Sequence, residues 1–217
     1  SAGVDTSAMA NDDALPTGAS LALTGKGGDY ASVIVPAASL RLSAADMVAA
    51  DPVFRRASVV VTQFELGVDV AGMVWRAGRR HGLTTVPNAA PVPDPPVSWP
   101  AGLWSHVDLL VVNRGEAAAL AERAVPSTAT ARVVVRDLAS RLRIPSVVAT
   151  LGDRGVVAWH GGDAHALSAW SVVPVDALGA GDAFVAALAA GIAEKRTFGE
   201  SLARANAAGA LAVTQAG

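Results

Sequence analysis

Apolar residues along this chain come in two textures. In the first they run together without alternation, as in Ser58-Val59-Val60-Val61-Thr62-Gln63, Val107-Asp108-Leu109-Leu110-Val111-Val112 and Ser146-Val147-Val148-Ala149-Thr150. Strands read this way when a parallel sheet is covered on both faces. In the second, apolar positions recur at helical spacing. That pattern predicts helices over Val70–His81, stopped by Gly82, over Gly115–Arg123 and over Ala131–Arg143. Leu83–Val86 and Val173–Val175 read as further strands. The alternation implies an α/β fold: a doubly wound, mostly parallel sheet with helices on both faces. Ahead of it, Gly18–Thr24 and Ala31–Val35 flank Gly25-Lys26-Gly27-Gly28-Asp29, a hairpin signal. A second hairpin is expected from Val156–Trp159 and Ala166–Trp170 around His160-Gly161-Gly162-Asp163. Two Ala-rich helices follow, Gly181–Glu194 and Phe198–Val213. Pro87–Pro100, rich in proline and holding Trp99, reads as a rigid surface connection in preference to a polyproline ligand. No internal repeat is visible.

A length of 217 residues fits one domain able to bury a core. Fifty-two per cent hydrophobic against 17% charged residues excludes a disordered tail. Seventeen basic and nineteen acidic residues leave a net charge of −2, which argues against a nucleic-acid partner. The absence of cysteine removes disulfides, Cys-ligated zinc and thiol nucleophiles. No uncharged stretch approaches a membrane span, and no signal peptide is visible at Ser1-Ala2-Gly3. A cytoplasmic protein without membrane partners is therefore expected. The missing initiator Met hints that something upstream has been removed.

In open parallel sheets, ligands sit beyond the carboxyl ends of the strands. The expected strands are followed in turn by Gln63-Phe64-Glu65, by Asn88, by Asn113 and Glu116, by Thr150 and Gly152, and by Asp176 and Asp182. Each alone is equally a turn or cap residue. Five successive strand ends carrying carboxylates, amides or a hydroxyl point to a polar ligand site. The sharpest feature is Asp176-Ala177-Leu178-Gly179-Ala180-Gly181-Asp182, a glycine-rich turn running straight into an uncharged helix. Gly179 and Gly181 let the backbone approach a ligand, and the helix start offers free amides at the positive end of its dipole. Asp182 there would repel a bound phosphate but serve as a general base beside a developing anion, which suits phosphoryl transfer. The plainer reading is a helix start whose glycines allow close packing. The dinucleotide fingerprint fails, because Phe184 stands where its third glycine belongs; no Walker A or G-x-S-x-G motif is present. His160, His165 and Asp163 read as exposed hairpin-tip residues in preference to metal ligands. His81 sits at a helix end that favours a cation, and His106 carries no signal.

Taken together, Pro16-Thr17-Gly18, Gln63-Phe64-Glu65, Asn88-Ala89-Ala90-Pro91, Asn113-x-x-Glu116, Thr150-Leu151-Gly152-Asp153-Arg154-Gly155 and Gly179-Ala180-Gly181-Asp182 resemble, in order and spacing, the ribokinase-like (PfkB) carbohydrate kinases. The resemblance covers essentially the whole chain. It implies ATP-dependent phosphorylation of a sugar hydroxyl, D-ribose to ribose 5-phosphate first among acceptors. Asp182 would be the catalytic base, with Gly179, Ala180 and Gly181 as the anion hole. Asn113 and Glu116 would order the phosphates and Mg²⁺ with its waters; Thr150 and Gly152 would contact the nucleotide, with Asn206 near the adenine. Glu65 would hold a sugar hydroxyl. Asp176 with the Leu178 carbonyl would take a monovalent cation such as K⁺. Residues 4–24 would be the remnant of a small β-lid and 43–217 the nucleotide-binding core of one incomplete domain spanning 1–217. Through Leu21, Leu23, Val33 and Val35 the lid would pair with a second copy. Ala177 stands where the family usually has a small hydroxyl residue, and Ala89 where it has Pro. The family's N-terminal strands, its Gly-Gly-rich sugar motif and early Asp, and its closing segment are not in this sequence. An exposed sheet edge, half a sugar pocket and little activity are therefore expected of a truncated chain. Rival readings are a kinase for a nucleoside, fructose or another hexose, or a sugar acid, and a nucleotide- or sugar-binding fragment without catalysis.

Overall fold

The computed structural model describes residues 3–24, 30–93, 99–100 and 102–215, with side chains left aside at 22–24 and 30–32. Strands β1 (Ala19–Thr24) and β2 (Tyr30–Val35) form an antiparallel hairpin of their own. The expected turn at 25–29 lies outside the described residues, and residues 4–18 of the anticipated lid segment carry neither helix nor strand. Two short helices, α1 (Ala44–Ala49) and α2 (Asp51–Phe54), lead into β3 (Val59–Gln63). Then follow α3 (Val68–Arg80), β4 (Thr84–Asn88), β5 (Leu109–Asn113), α4 (Arg114–Ala121), α5 (Thr128–Leu142) and β6 (Ser146–Thr150). The chain continues through β7 (Val156–His160), β8 (Asp163–Leu167), α6 (Ala180–Ala193) and α7 (Phe198–Ala212).

The six strands β3 to β8 lie in sequence order, parallel from β3 to β6 and antiparallel from β6 to β8. β3 is one edge of this sheet. One face packs on α3, α4 and α5, where Trp75, Leu110, Val134, Leu138 and Val147 are buried together. The other packs on α6 and α7, which set Phe184, Val185, Leu188 and Leu202 against Val86, Val111 and Val148. A sheet covered on both sides explains why its central strands are apolar without alternation. The Trp75 indole N–H donates to Thr62 Oγ1 at 2.7 Å, so this buried ring leaves no polar atom unmet. Among the described residues, no helix is long and apolar enough to cross a membrane.

Three expectations need correction. The second hairpin turns on Gly161-Gly162 alone, at φ of +59° and +100°, and pairs His160 with Asp163. A two-residue turn of this kind lets β8 begin at once, three residues earlier than expected. Val173-Pro174-Val175 is not a strand: Pro174 offers no N–H, and Val173 is 81% exposed. The segment is held by the Val175 and Asp176 amides, which donate to the Val213 carbonyl. Pro87 lies buried in β4 and does not open the connection. The amides of Thr85 and Ala89 turn toward Asp108 and the Val111 carbonyl on the β5 side, and Pro87 between them has none to offer. β4 and β5 are accordingly registered at Asn88 with Val111 alone. Of the connection, 94–98 and 101 lie outside the described residues; Trp99 docks on Phe64 and Trp104, with ring centroids 5.2 and 5.1 Å away.

The histidines are accounted for by packing. His160 stacks on Phe198 at 3.9 Å and bonds through Nδ1 to Ser146 Oγ at 2.8 Å. Burial, then the neighbouring His165, push its pKa down. His81 meets Asp51 Oδ1 at 2.7 Å. Among the described residues, no group of three or more His, Asp or Glu side chains is placed to hold a metal ion.

Candidate active site

Parallel strands end together, and here they end on polar residues. Gln63, Asn88, Asn113 and Thr150 are the last residues of β3, β4, β5 and β6, with Gln63 in register with Asn88 and Asn113 with Thr150. The N-terminus of α6 meets the same sheet edge from the opposite layer. Between them lies a cavity of about 870 Å³ lined by Gln63, Glu65, Asn88, Asn113, Glu116 and Thr150 from the sheet side. Asp176, Ala177, Leu178, Gly179, Gly181 and Asp182 close its other wall. A second cavity of about 620 Å³ extends from it beneath the hairpin, lined by Thr17, Ser20, Ile34, Ser39, Leu66 and Val185. Gln63, Glu65, Asn88, Ile34, Val185 and Asp182 border both, so the two are compartments of one cleft with Asp182 at their junction.

Local sequence explains each position. Gly179 caps α6 at φ +75°, where a side chain is strained, and a Cβ on Gly179 or Gly181 would meet nothing within 4 Å. The helix start is thus left bare on the cleft side. The Ala180 amide donates weakly to Ala177 at 3.4 Å; those of Gly181 and Asp182 find no partner among the described residues. Amides left open in this way at a helix N-terminus shape a concave cup of the kind that can take an anion. Asp176 Oδ1 accepts from the Leu178 amide at 2.9 Å, which shapes the turn before the cup. Phe64 is buried, its amide donating to the Ala90 carbonyl at 3.0 Å, and this anchor turns Glu65 into the cleft.

Asn113 and Glu116 form a capping box on α4. Asn113 Oδ1 accepts from the Glu116 amide at 2.9 Å, while Glu116 Oε2 and Oε1 accept from the Asn113 amide and Nδ2, both at 2.7 Å. Burial pushes the Glu116 carboxyl up to about 7, against the opposing pull of the Asn113 amide. A raised carboxyl favours folding in its protonated form. Its contribution is full below the ordinary value of 4.5 and is lost as pH rises through about 7. Glu116→Gln should therefore flatten that part of the Tm profile of the ligand-free chain between pH 4.5 and 7. A variant profile as steep as the wild type would reject this.

Two expected nucleotide contacts stand apart from the cavity lining. Gly152 lies just past β6 at φ +62°, and Asn206 donates through Nδ2 to the Ser168 carbonyl at 2.9 Å, tying α7 to the segment after β8. Conversely, Gln63 and Asn88, noted at strand ends but given no role, sit centrally. Gln63 Nε2 donates to Asp182 Oδ1 at 3.1 Å. Their signal was their type and place: amides ending apolar strands beside a carboxylate.

A pfkB family carbohydrate kinase model matches residues 1–217. Ribokinase of Mus musculus is 30% identical over 208 residues, covering 93% of this chain and 62% of that protein. Ribokinase of Staphylococcus aureus (strain COL) is 26% identical over 184 residues, 85% of this chain and 59% of that protein. The chain therefore spans about three fifths of the length of these two curated relatives. Arabidopsis thaliana ribokinase complexed with ribose and ATP superposes with a TM-score of 0.80 at 25% identity, covering 94% of this chain and 65% of that one. An adenosine kinase from Sinorhizobium meliloti, at 21% identity and a TM-score of 0.75, covers 92% of this chain and 62% of that one and shares the fold.

Proposed function

The chain belongs to the pfkB family of carbohydrate kinases, and from that premise we propose that it transfers the terminal phosphoryl group of ATP to a sugar hydroxyl, with D-ribose the first acceptor to test. The observation that carries this reading is the place of Asp182. It stands in the first turn of α6, beside unpaired amides, where the two compartments of the cleft meet. The acceptor occupies the compartment under the hairpin, with Glu65 accepting from one of its hydroxyls. The phosphate chain lies in the other, against Asn113, Thr150 and the amide cup. Asp182 takes the hydroxyl proton as the new O–P bond forms; the bond to the departing ADP oxygen breaks, and the cup stabilises charge on the moving group.

Residues at the donor end fit a magnesium nucleotide: the Glu116 carboxyl and the Asn113 amide line the same cavity as the open N–H groups at the start of α6. Glu116 would hold Mg²⁺ through water, and the ion when bound neutralises phosphate charge. Asp176 and the Leu178 carbonyl are hard oxygen donors of the kind K⁺ takes. Arabidopsis thaliana ribokinase was solved with ribose and ATP, which supports the ribose and ATP assignments. A compartment of about 620 Å³ also admits a nucleoside or hexose, so the decisive experiment is an acceptor panel. ADP release with MgATP should be stimulated by ribose above adenosine, fructose and sugar acids. Another acceptor winning would reassign the substrate. ATP binding by calorimetry without any acceptor-dependent turnover would leave a binding fragment and end the kinase reading for this chain.

We also propose that the hairpin pairs with a second copy. Leu21 and Val33 face each other across it, 63% and 60% exposed, on the side away from Ser20 and Ile34. Sedimentation should show a dimer that Val33→Glu dissociates; a concentration-independent monomer would reject the pairing.

A further inference from the structure

We propose that Gln63 is a positioning residue, the two-way donor in an amide relay that links the Val111 carbonyl, through Asn88, to the carboxylate of Asp182. The proposal rests on Asp182 as proton acceptor in the reading above. The orientation of each amide follows from hydrogen-bond chemistry. Val111 is buried, and its carbonyl only accepts. Asn88, also buried, meets it with Nδ2 at 3.2 Å. That fixes which way the Asn88 amide faces and turns Oδ1 toward Gln63. Gln63 must then present its NH₂ group, since its oxygen there would oppose two other oxygens. Nε2 lies 3.5 Å from Asn88 Oδ1, a long contact, and 3.1 Å from Asp182 Oδ1. Two hydrogens serve two acceptors, and the amide has one consistent orientation.

The consequence lies in the last link. Asp182 is exposed where the two compartments meet, and without a partner an aspartate there would rotate. The bond from Gln63 occupies Oδ1 and holds the carboxylate plane, leaving Oδ2 for the acceptor hydroxyl. It joins residues 119 apart in sequence, the end of the edge strand to the first turn of α6. The carboxylate is thereby referenced to the sheet as well as to its own helix.

Two arms test this on the full chain. The first is independent of activity. The sequence has two glutamines and four asparagines, so the side-chain amide region of an ¹⁵N–¹H spectrum is sparse. The Gln63 pair is identified by its loss in Gln63→Leu. It should shift in Asp182→Leu, while the Gln215 and Asn11 pairs stay in place; an unmoved Gln63 pair overturns the relay. The second arm is kinetic. Gln63→Leu should lower kcat on the order of 10- to 100-fold, with KM for ATP held within about twofold. Gln63→Glu sets a second carboxylate against the first, so the acid limb of its kcat profile should move to higher pH. A Gln63→Leu enzyme within about threefold of wild-type kcat overturns the positioning role even where the amide signal moves. If the wild type transfers phosphate to no acceptor, the kinase reading falls instead, and the spectrum alone decides the relay.

Discussion

Asp182→Asn should lower turnover by on the order of 10²- to 10⁴-fold, the usual loss when a positioned base is removed. Asparagine keeps the shape, and its Oδ1 still accepts from Gln63, so the wall of the cleft is unchanged. What disappears is the carboxylate in the first turn of α6 at the junction of the compartments, the proposed acceptor of the hydroxyl proton. Nucleotide binding should move the other way. A negative charge in the first turn of α6 repels a phosphate in the cup, and removing it leaves ATP bound as tightly or tighter. Low kcat with unchanged or tighter ATP binding, read by coupled ADP release and calorimetry, is the expected signature. A variant that keeps kcat within about threefold of wild type would remove Asp182 from the chemistry.

The largest effect on stability is expected at Gly155, between β6 and β7. Its backbone sits at φ +84° and ψ −133°, and a Cβ there would fall 2.1 Å from the Leu167 carbonyl oxygen and 2.6 Å from the Ala169 nitrogen. Both obstacles are backbone and cannot swing aside. Gly155→Ala combines strain of about 1–3 kcal/mol with overpacking of about 1–3 kcal/mol, a large part of a typical domain's stability. Gly152→Ala, three residues earlier, is the control. At φ +62° with nothing within 4 Å, it should cost only about 1–2 kcal/mol. Urea unfolding of both variants checks the ranking, and equal losses would refute it. Ser168, beside the obstructed site, also accepts from Asn206, so Gly155→Ala should loosen the anchorage of α7 as well.

Much of the site was legible because strands buried on both faces leave few places for polarity. A continuous apolar run that stops on an amide or hydroxyl marks the sheet edge, and Gln63, Asn113 and Thr150 each closed such a run, while Asn88 followed its shorter run across Pro87. Helix ends were legible to within a few residues wherever a glycine or capping residue stood. Illegible features depended on neighbours absent from local sequence. Val173-Pro174-Val175 has β-branched residues but, among the described residues, no adjacent strand to pair with. β8 starts where a two-residue turn places it, which composition alone does not reveal. The Gln63–Asp182 bond depends on how the helical layer is laid over the sheet, and no spacing along the chain encodes that distance.

Among the described residues, α6 and α7 cover one face of the sheet, and they follow all six of its strands in sequence. While the chain is being made, β3 to β8 leave the ribosome before those helices exist. For roughly several seconds of elongation, Val86, Leu109, Val111, Val148 and Val156 lack the cover that α6 and α7 give them. Nascent molecules stalled after Leu167 should therefore recruit chaperones that hold apolar surface, and release them once Leu202 has emerged.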